Sequence, residues 1–231
     1  MWLINSSIGR KLIMSISGLF LILFLLFHMS MNLVAVFSAE AYDMICGALG
    51  ANWYALAGTA VLAGGFIVHV VYATILTLKN QKARGEQGYA YTNAPKEVSF
   101  ASRNMGVLGS IVLLGLLLHM AMFWYKMQFA EIIGCHDVEL GDQIVSPTAG
   151  AAFIQYYFAQ PVVCIIYLIW FAAIWFHLTH GFWSALHTIG WNNKIWFERL
   201  KCISKIFATV ICLGFAVVVI AAYINSLGLC A

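Results

Sequence analysis

The chain has 231 residues, of which 63% are hydrophobic and 9% are charged, and its formal net charge is +3. A water-soluble globular domain carries about 25% charged residues, so the composition excludes that class and indicates an integral membrane protein built as one helical bundle. The six cysteines include no CxxC spacing, which argues against a zinc or iron–sulfur site in this chain.

Five apolar runs follow one another along the chain, and each is long enough to cross a hydrocarbon core of about 30 Å as a helix. Segments this long satisfy their backbone hydrogen bonds in lipid only when they are helical. The first run is too long for the apolar region of a signal peptide, so we expect it to be retained. Pro161 falls in the first turns of the fourth run, where its missing N–H is tolerated or produces a kink. We therefore predict an all-α protein of one domain, residues 1–231, with transmembrane helices at about 12–37, 53–78, 104–127, 153–187 and 204–228.

The basic residues that flank these runs predict the orientation of the chain in the membrane. All but one of the lysines and arginines lie before the first run, between the second and third runs, or after the fourth, and Lys126 is the exception. The positive-inside rule then places the N-terminus in the cytoplasm and the C-terminus outside. No acidic residue falls within a run, which argues against a proton relay of buried carboxylates.

Four of the runs each contain one histidine far from both ends, where burial is costly unless something binds the ring. Counted from the cytoplasmic ends, His28 and His119 share one depth, nearer the outer face, and we call them the outer pair. His69 and His177 share a second depth, nearer the cytoplasm, and we call them the inner pair. Because a b-type haem takes one axial imidazole on each side of its plane, the pairs predict two stacked haems held by the first four helices.

The residues one turn before these histidines are mostly small, as a porphyrin lying against a helix requires. The alternative is that small residues at these places only let the helices pack closely. In chain order they are Phe24, Gly65, Gly115 and Ala173.

Three further histidines and two basic residues extend the predicted site or stand apart from it. His180 lies three residues after His177 and competes with it as the fourth ligand. His136 lies in a polar outer loop, where we expect it to be solvated.

The cytoplasmic ends of the helices are where haem propionates need donors or cations. Arg10, Lys11 and His187 are the candidates there, with the alternative that the first two only set the topology.

Two segments carry a resemblance to a known family. SSIGRKLIMSISGLFLILFLLFHM at Ser6–Met29 and FHLTHGFWS at Phe176–Ser184 resemble the di-haem cytochrome b anchor of succinate dehydrogenase and quinol:fumarate reductase. The resemblance is to the bacterial single-subunit form with five helices, and it covers nearly the whole chain. That family places one haem ligand on each of the first four helices and none on the fifth, as this sequence does.

The family pattern also bears on individual positions. Its fourth ligand stands four residues before a glycine, which corresponds to Gly181 and implies His177 rather than His180. Ser15 matches a family position that binds a haem propionate. This chain departs from the pattern at Trp175 and Thr188, where family members have a glutamate and a basic propionate partner, respectively.

The resemblance implies a membrane anchor and electron-transfer subunit of a succinate:quinone oxidoreductase in the bacterial cytoplasmic membrane. A flavoprotein subunit and an iron–sulfur subunit would bind on the cytoplasmic side, and a dimer of the heterotrimer is one arrangement that it allows. Two haems b would carry electrons between the iron–sulfur subunit and a quinone of the menaquinone type. The chain alone would not convert succinate or fumarate, and we expect no nucleic-acid partner.

A quinone exchanges protons along with electrons, so its site needs a proton donor or acceptor within hydrogen-bond reach. Because the helices contain no acid, we expect that group at a helix end near the outer pair. The candidates are Asn32, one turn after His28, and Glu40 and Asp43 in the short outer loop. The alternative is that both acids are solvated loop residues.

Two other classes of function fit part of the pattern. The di-haem membrane subunit of a hydrogenase or formate dehydrogenase shares the four histidines and the quinone chemistry. A haem-free transporter or structural protein would use the histidines as interhelical hydrogen-bonding groups. The sequence gives the latter less support, because it has neither paired broken helices nor a buried acid.

Overall fold

A computed structural model describes residues 6–84, 99–191 and 193–228. Five helices in these ranges are long and apolar enough to cross a membrane, judged by length and composition. The prediction of an all-α, multi-pass membrane protein with five spans is therefore confirmed at this level. The spans are Ser7–Phe37, Trp53–Ala83, Met105–Ile132, Pro161–Thr188 and Lys194–Ser226.

The elements alternate long helices with short connections. Their bounds, in chain order, are α1 Ser7–Phe37, α2 Ala39–Ala48, α3 Trp53–Arg84, α4 Phe100–Arg103, α5 Met105–His119, a π-helical segment Met120–Phe129, α6 Ala130–Ile132, β1 Val138–Leu140, β2 Gln143–Val145, α7 Gly150–Phe158, α8 Pro161–Thr188 and α9 Lys194–Ser226.

Polar side chains that accept from free backbone N–H groups mark several helix starts. Ser6 accepts from the N–H of Gly9 and begins α1. Ser38 has extended backbone angles that end α1, and its hydroxyl accepts from the N–H of Ala41 to begin α2. Asn193 begins α9 in the same way. The first span thus starts at Ser7, five residues before its predicted start.

The fourth apolar run differs from the single predicted helix at 153–187. Ala159 and Gln160 interrupt it and separate α7 from α8. Pro161 is the first residue of α8, where its missing N–H has no partner to lose. The short helix α7 packs against α2 and α9. The fourth span is therefore 28 residues long rather than about 35.

The core of the bundle lies between α1, α8 and α9. Ala208, Ile211 and Val219 of α9 are at most 1% exposed there, and Met29 of α1 packs against Gly214. Helix α3 differs, because it packs mainly against α1, only lightly against α5, and has no buried residue between 53 and 83. The second span is thus the most loosely enclosed of the five.

One glutamine fixes α3 at the end of the bundle where the π-helical segment lies. The Oε1 atom of Gln128 accepts from Thr59 of α3 and from Trp124, both at 2.9 Å. Its Nε2 atom donates to the carbonyls of Leu49 and Gly50 at 3.3 and 3.0 Å. The same end of the bundle carries a β1–β2 hairpin that the sequence did not lead us to expect. Its tight turn contains Gly141 with φ +63°, a conformation that favours glycine.

Candidate functional site

The structure brings the four deep histidines together in the two pairs that their depths predict. In the outer pair, the ring centroids of His28 and His119 are 5.8 Å apart with an interplanar angle of 81°. In the inner pair, the centroids of His69 and His177 are 6.4 Å apart with an angle of 69°. Each pair joins two different helices, α1 with the end of α5 and α3 with α8.

These separations are close to the spacing of two imidazoles that share one metal ion. An imidazole nitrogen lies about 2 Å from a transition metal that it binds, and the ring centre lies about 1 Å further away. Two rings on opposite sides of one metal therefore have centroids about 6 Å apart. The hydrogen bonds of His28, His69 and His119 go to groups other than the facing ring.

The ring of His69 has a hydrogen-bond partner on α1. Its Nδ1 atom lies 3.3 Å from the hydroxyl oxygen of Ser17 on α1. That hydroxyl donates its own hydrogen to the Met14 carbonyl at 3.1 Å. If Nε2 of His69 binds a metal, its hydrogen is on Nδ1, and the Ser17 oxygen is placed to accept it.

His119 has a corresponding partner on α8. Its Nδ1 atom lies 3.3 Å from the phenolic oxygen of Tyr167, which also lies 3.9 Å from the sulfur of Met122. If Nε2 of His119 binds a metal, Nδ1 carries the hydrogen and the phenolic oxygen is placed to accept it. A metal-binding histidine has this arrangement, with one nitrogen on the metal and the other donating to a neighbouring acceptor.

The other two ligand candidates have different surroundings. Asn32 donates to the His28 carbonyl at 2.8 Å and lies 3.4 Å from its Nδ1, while its Oδ1 accepts from Tyr42 at 3.0 Å. Among the described residues, the buried Nδ1 atoms of His177 and His180 have no hydrogen-bond partner. The ring of His177 faces the inner partner His69, whereas that of His180 lies against Trp183.

The small residues at the pairs only partly match the predicted ones. A Cβ on Gly18 would lie 3.3 Å from the His69 ring, and one on Gly109 would lie 3.6 Å from the His177 ring. These two glycines let neighbouring helices approach the inner pair, and sequence inspection missed them. The predicted Gly65 and Gly115 instead lie beneath aromatic side chains of neighbouring helices, namely Phe20 and Trp170.

The candidate propionate partners lie at one end of α1 and α8. Arg10 is seven residues before Ser17, so it lies on the same face of α1, about 10 Å closer to the helix start. In the described part of the chain, its buried Nε atom has no hydrogen-bond partner. Ser15 is buried but lies about 160° around the helix from Ser17. Lys11 is exposed.

His187, the fourth propionate candidate, lies in an aromatic cluster where α8 ends and α9 begins. Its ring centroid is 5.6 Å from that of Phe197 and 6.3 Å from that of Trp183. The ammonium group of Lys201 lies 4.0 Å from the Phe197 ring centroid. The cluster thus combines a histidine and a lysine at the helix ends where propionates need donors or cations.

The three quinone-site candidates have unlike surroundings. Asn32 is hydrogen bonded to Tyr42 and to the His28 carbonyl, as described above. The carboxylate of Asp43 accepts from the N–H of Ala151 at 2.8 Å and so stabilises the start of α7. Glu40 is exposed in the first turn of α2. Asp43 therefore has a structural role, and Glu40 is the acid whose side chain faces solvent.

The donor set fits a haem better than a bare metal ion. In the part of the chain that the structure describes, no three or more histidine, cysteine, aspartate or glutamate side chains are grouped to hold a metal. Two imidazoles per site instead suit an iron whose other four ligands come from a porphyrin. The four ligand candidates are also only half-buried despite their depth in the bundle.

Comparison with protein families, with curated proteins and with solved structures finds no match to this chain.

Proposed function

We propose that this protein is the di-haem cytochrome b membrane anchor of a succinate:quinone oxidoreductase, either a succinate dehydrogenase or a quinol:fumarate reductase. The observation that carries the proposal is the pairing of four histidines from four spans at separations of 5.8 and 6.4 Å. The resemblance in Ser6–Met29 and Phe176–Ser184 narrows the class from di-haem cytochromes to this family.

Each histidine pair would hold one haem iron, and the hydroxyls of Ser17 and Tyr167 would orient two of the four rings. Haem supplies a one-electron carrier when it is bound. The buried Nε atom of Arg10 would be a donor for a propionate of the inner haem, and Lys11, Ser15 and His187 are the further candidates. No acidic residue lies in the four helix stretches that carry the two pairs.

In the proposed orientation, the N-terminus is cytoplasmic and the helix ends that carry most of the basic residues face the flavoprotein and iron–sulfur subunits. Quinone then reacts near the outer pair on the opposite side of the bacterial cytoplasmic membrane. Glu40 is the favoured proton-exchanging group there, because its side chain is exposed.

A reduced-minus-oxidised visible spectrum of the purified protein tests the proposal directly, and we expect two haems b per chain. His28→Ala or His119→Ala should remove the outer haem, and His69→Ala or His177→Ala should remove the inner one. His136→Ala, in the exposed loop, is the matched control and should keep both. Absence of haem would mean that the histidines serve as interhelical hydrogen-bonding groups.

Isolation of the intact complex separates this function from its nearest alternative. A co-purified flavoprotein with covalently bound flavin, together with succinate-dependent haem reduction, supports the proposed class. A hydrogenase or formate dehydrogenase partner in its place would contradict it while leaving the two haems. Glu40→Gln should then slow quinol oxidation in the reconstituted complex without loss of haem, and normal turnover would exclude Glu40 from the quinone site.

A further inference from the structure

One imidazole of each pair lies within hydrogen-bond distance of a hydroxyl group that also contacts a second acceptor. At the inner pair this is Ser17, 3.3 Å from Nδ1 of His69, whose hydrogen goes to a backbone carbonyl. At the outer pair this is Tyr167, 3.3 Å from Nδ1 of His119 and 3.9 Å from the sulfur of Met122. An imidazole that binds a metal through Nε2 carries its hydrogen on Nδ1, so in a haem-bound ring Nδ1 would donate and the hydroxyl oxygen would accept.

We propose that Ser17 and Tyr167 are positioning residues that fix the Nδ1–H tautomer of His69 and His119 and thereby tune one haem each. This inference rests on the proposed di-haem function. Donation from Nδ1 makes an imidazole a more basic ligand. Because a more basic ligand favours oxidised iron, each hydroxyl lowers the midpoint potential of the haem at its own pair.

Burial makes the two hydroxyls irreplaceable by water. Ser17 is 7% exposed and Tyr167 is 3% exposed. Removing either oxygen takes away a hydrogen-bond partner of Nδ1, which weakens donation from the ring to the metal. The second ring of each pair has different surroundings: Nδ1 of His28 lies near the amide nitrogen of Asn32, and Nδ1 of His177 has no partner among the described residues. Only one ring of each pair therefore has a hydroxyl group that can change the midpoint potential of the haem.

The test is a redox titration of the purified complex, followed by visible absorbance, for the wild type and the Tyr167→Phe and Ser17→Ala variants. We expect Tyr167→Phe to move one haem component to a more positive potential and Ser17→Ala to move the other. A tenfold change in the ratio of reduced to oxidised haem corresponds to about 59 mV for a one-electron couple, and we expect shifts on the order of this size. Ser17→Thr keeps a hydroxyl and should retain the wild-type potential.

Two matched controls remove hydroxyl groups that do not face a histidine. Ser30 is an exposed serine of α1 that donates to the Leu26 carbonyl, and Ser30→Ala should leave both potentials unchanged. Tyr157 is buried against the Phe123 ring, and Tyr157→Phe should also have no effect. A shift in a control as large as that in Tyr167→Phe would assign the effect to general packing and overturn the inference.

The remaining outcomes separate this inference from the proposed function. A wild-type protein without haem overturns the function itself. Two haems whose potentials stay unchanged in both variants, or variants that move the same component, overturn the tautomer assignment and leave the function in place. If Ser17→Ala loses a haem, its retention in Ser17→Thr supports the inference, whereas loss in both variants contradicts it.

Discussion

The two histidine pairs are enclosed in different ways. The outer pair lies among aromatic rings, with one stacked on His28 at a centroid distance of 5.3 Å and one on His119 at 5.1 Å. Two more rings lie within 6 Å of the pair. The inner pair lies against the backbone of two glycines, and one of its helices has no buried residue between 53 and 83. The four aromatic residues are Phe24, Phe123, Trp170 and Phe215.

The difference shows two ways to fix a ring inside a membrane bundle. At the outer pair, large side chains from α1, the π-helical segment, α8 and α9 fill the space around the imidazoles, so the positions of the imidazoles depend on side-chain packing. At the inner pair, the glycines let the helices approach closely, as small residues do at helix contacts in membranes, and this close approach positions the rings. Substitutions that add volume should therefore affect the two pairs separately.

The largest expected effect comes from adding volume at the outer pair. A Cβ on Gly115 would overlap the Trp170 indole, which also donates to the Val112 carbonyl at 3.0 Å. Gly115→Val should destabilise the protein by about 1–3 kcal/mol, because the indole must leave its place against His119. We expect haem quantification to show loss of the outer haem and retention of the inner one.

Gly58→Val is the matched control for this prediction. Gly58 lies on α3, is exposed, and has no atom within 4 Å of the position of a Cβ. Because valine has the same intrinsic cost in either helix, the comparison isolates the contact with Trp170. Equal loss of haem in both variants would show that the outer pair does not depend on aromatic packing.

A smaller effect is expected at the inner pair. Alanine at position 18 would place its Cβ 3.3 Å from the His69 ring, so the ring must move by a few tenths of an ångström. Gly18→Ala should therefore alter the electron paramagnetic resonance signal of the inner haem only. Gly109→Ala makes an ordinary contact at 3.6 Å with His177 and serves as the control. An altered outer-haem signal in Gly18→Ala would contradict the separation of the two pairs.

The next effect in size is a loss of stability on substitution of Asp43, which should leave both histidine pairs unchanged. Asp43 accepts from the N–H of Ala151 at the start of α7, and Asp43→Asn replaces a charged acceptor with a neutral one. The change should lower stability by about 0.5–1 kcal/mol, measured as a lower Tm in detergent, with normal haem content. Loss of quinol oxidation at normal stability would instead give Asp43 the quinone role assigned here to Glu40.

The smallest expected effect is a change in the alkylation rate of Cys46 on α2. Burial raises the pKa of the Cys46 thiol to about 11, so the thiol stays protonated at pH 8. Alkylation of this free cysteine should be slow at pH 8 and should accelerate as the pH rises toward 11. Exposed Cys202 of α9 is the reference and should react first. Fast labelling of Cys46 at pH 8 would show that the thiol is less buried than the structure indicates.

Sequence alone was sufficient for the number of spans and for the position of each histidine along its span. Each span is a long apolar run, and the fixed rise of a helix converts residue counts into depth. The partners of His28 and His69 followed from that depth alone. The start of α8 could not be predicted from the sequence, because a proline such as Pro161 is compatible with a kink within a helix and with the first residue of one.

Only the tertiary structure identified the groups that orient the rings. Ser17 meets His69 from 52 residues away, and Tyr167 meets His119 from 48 residues away. Membrane helices are apolar on every side, so their sequence carries little information about which face meets which neighbour. The rotation of each helix therefore decided that Ser17 rather than Ser15 contacts His69, and that Trp170 lies over Gly115. The sequence determined the position of each histidine along its helix, whereas the packing of the helices determined which neighbouring side chains the histidine contacts.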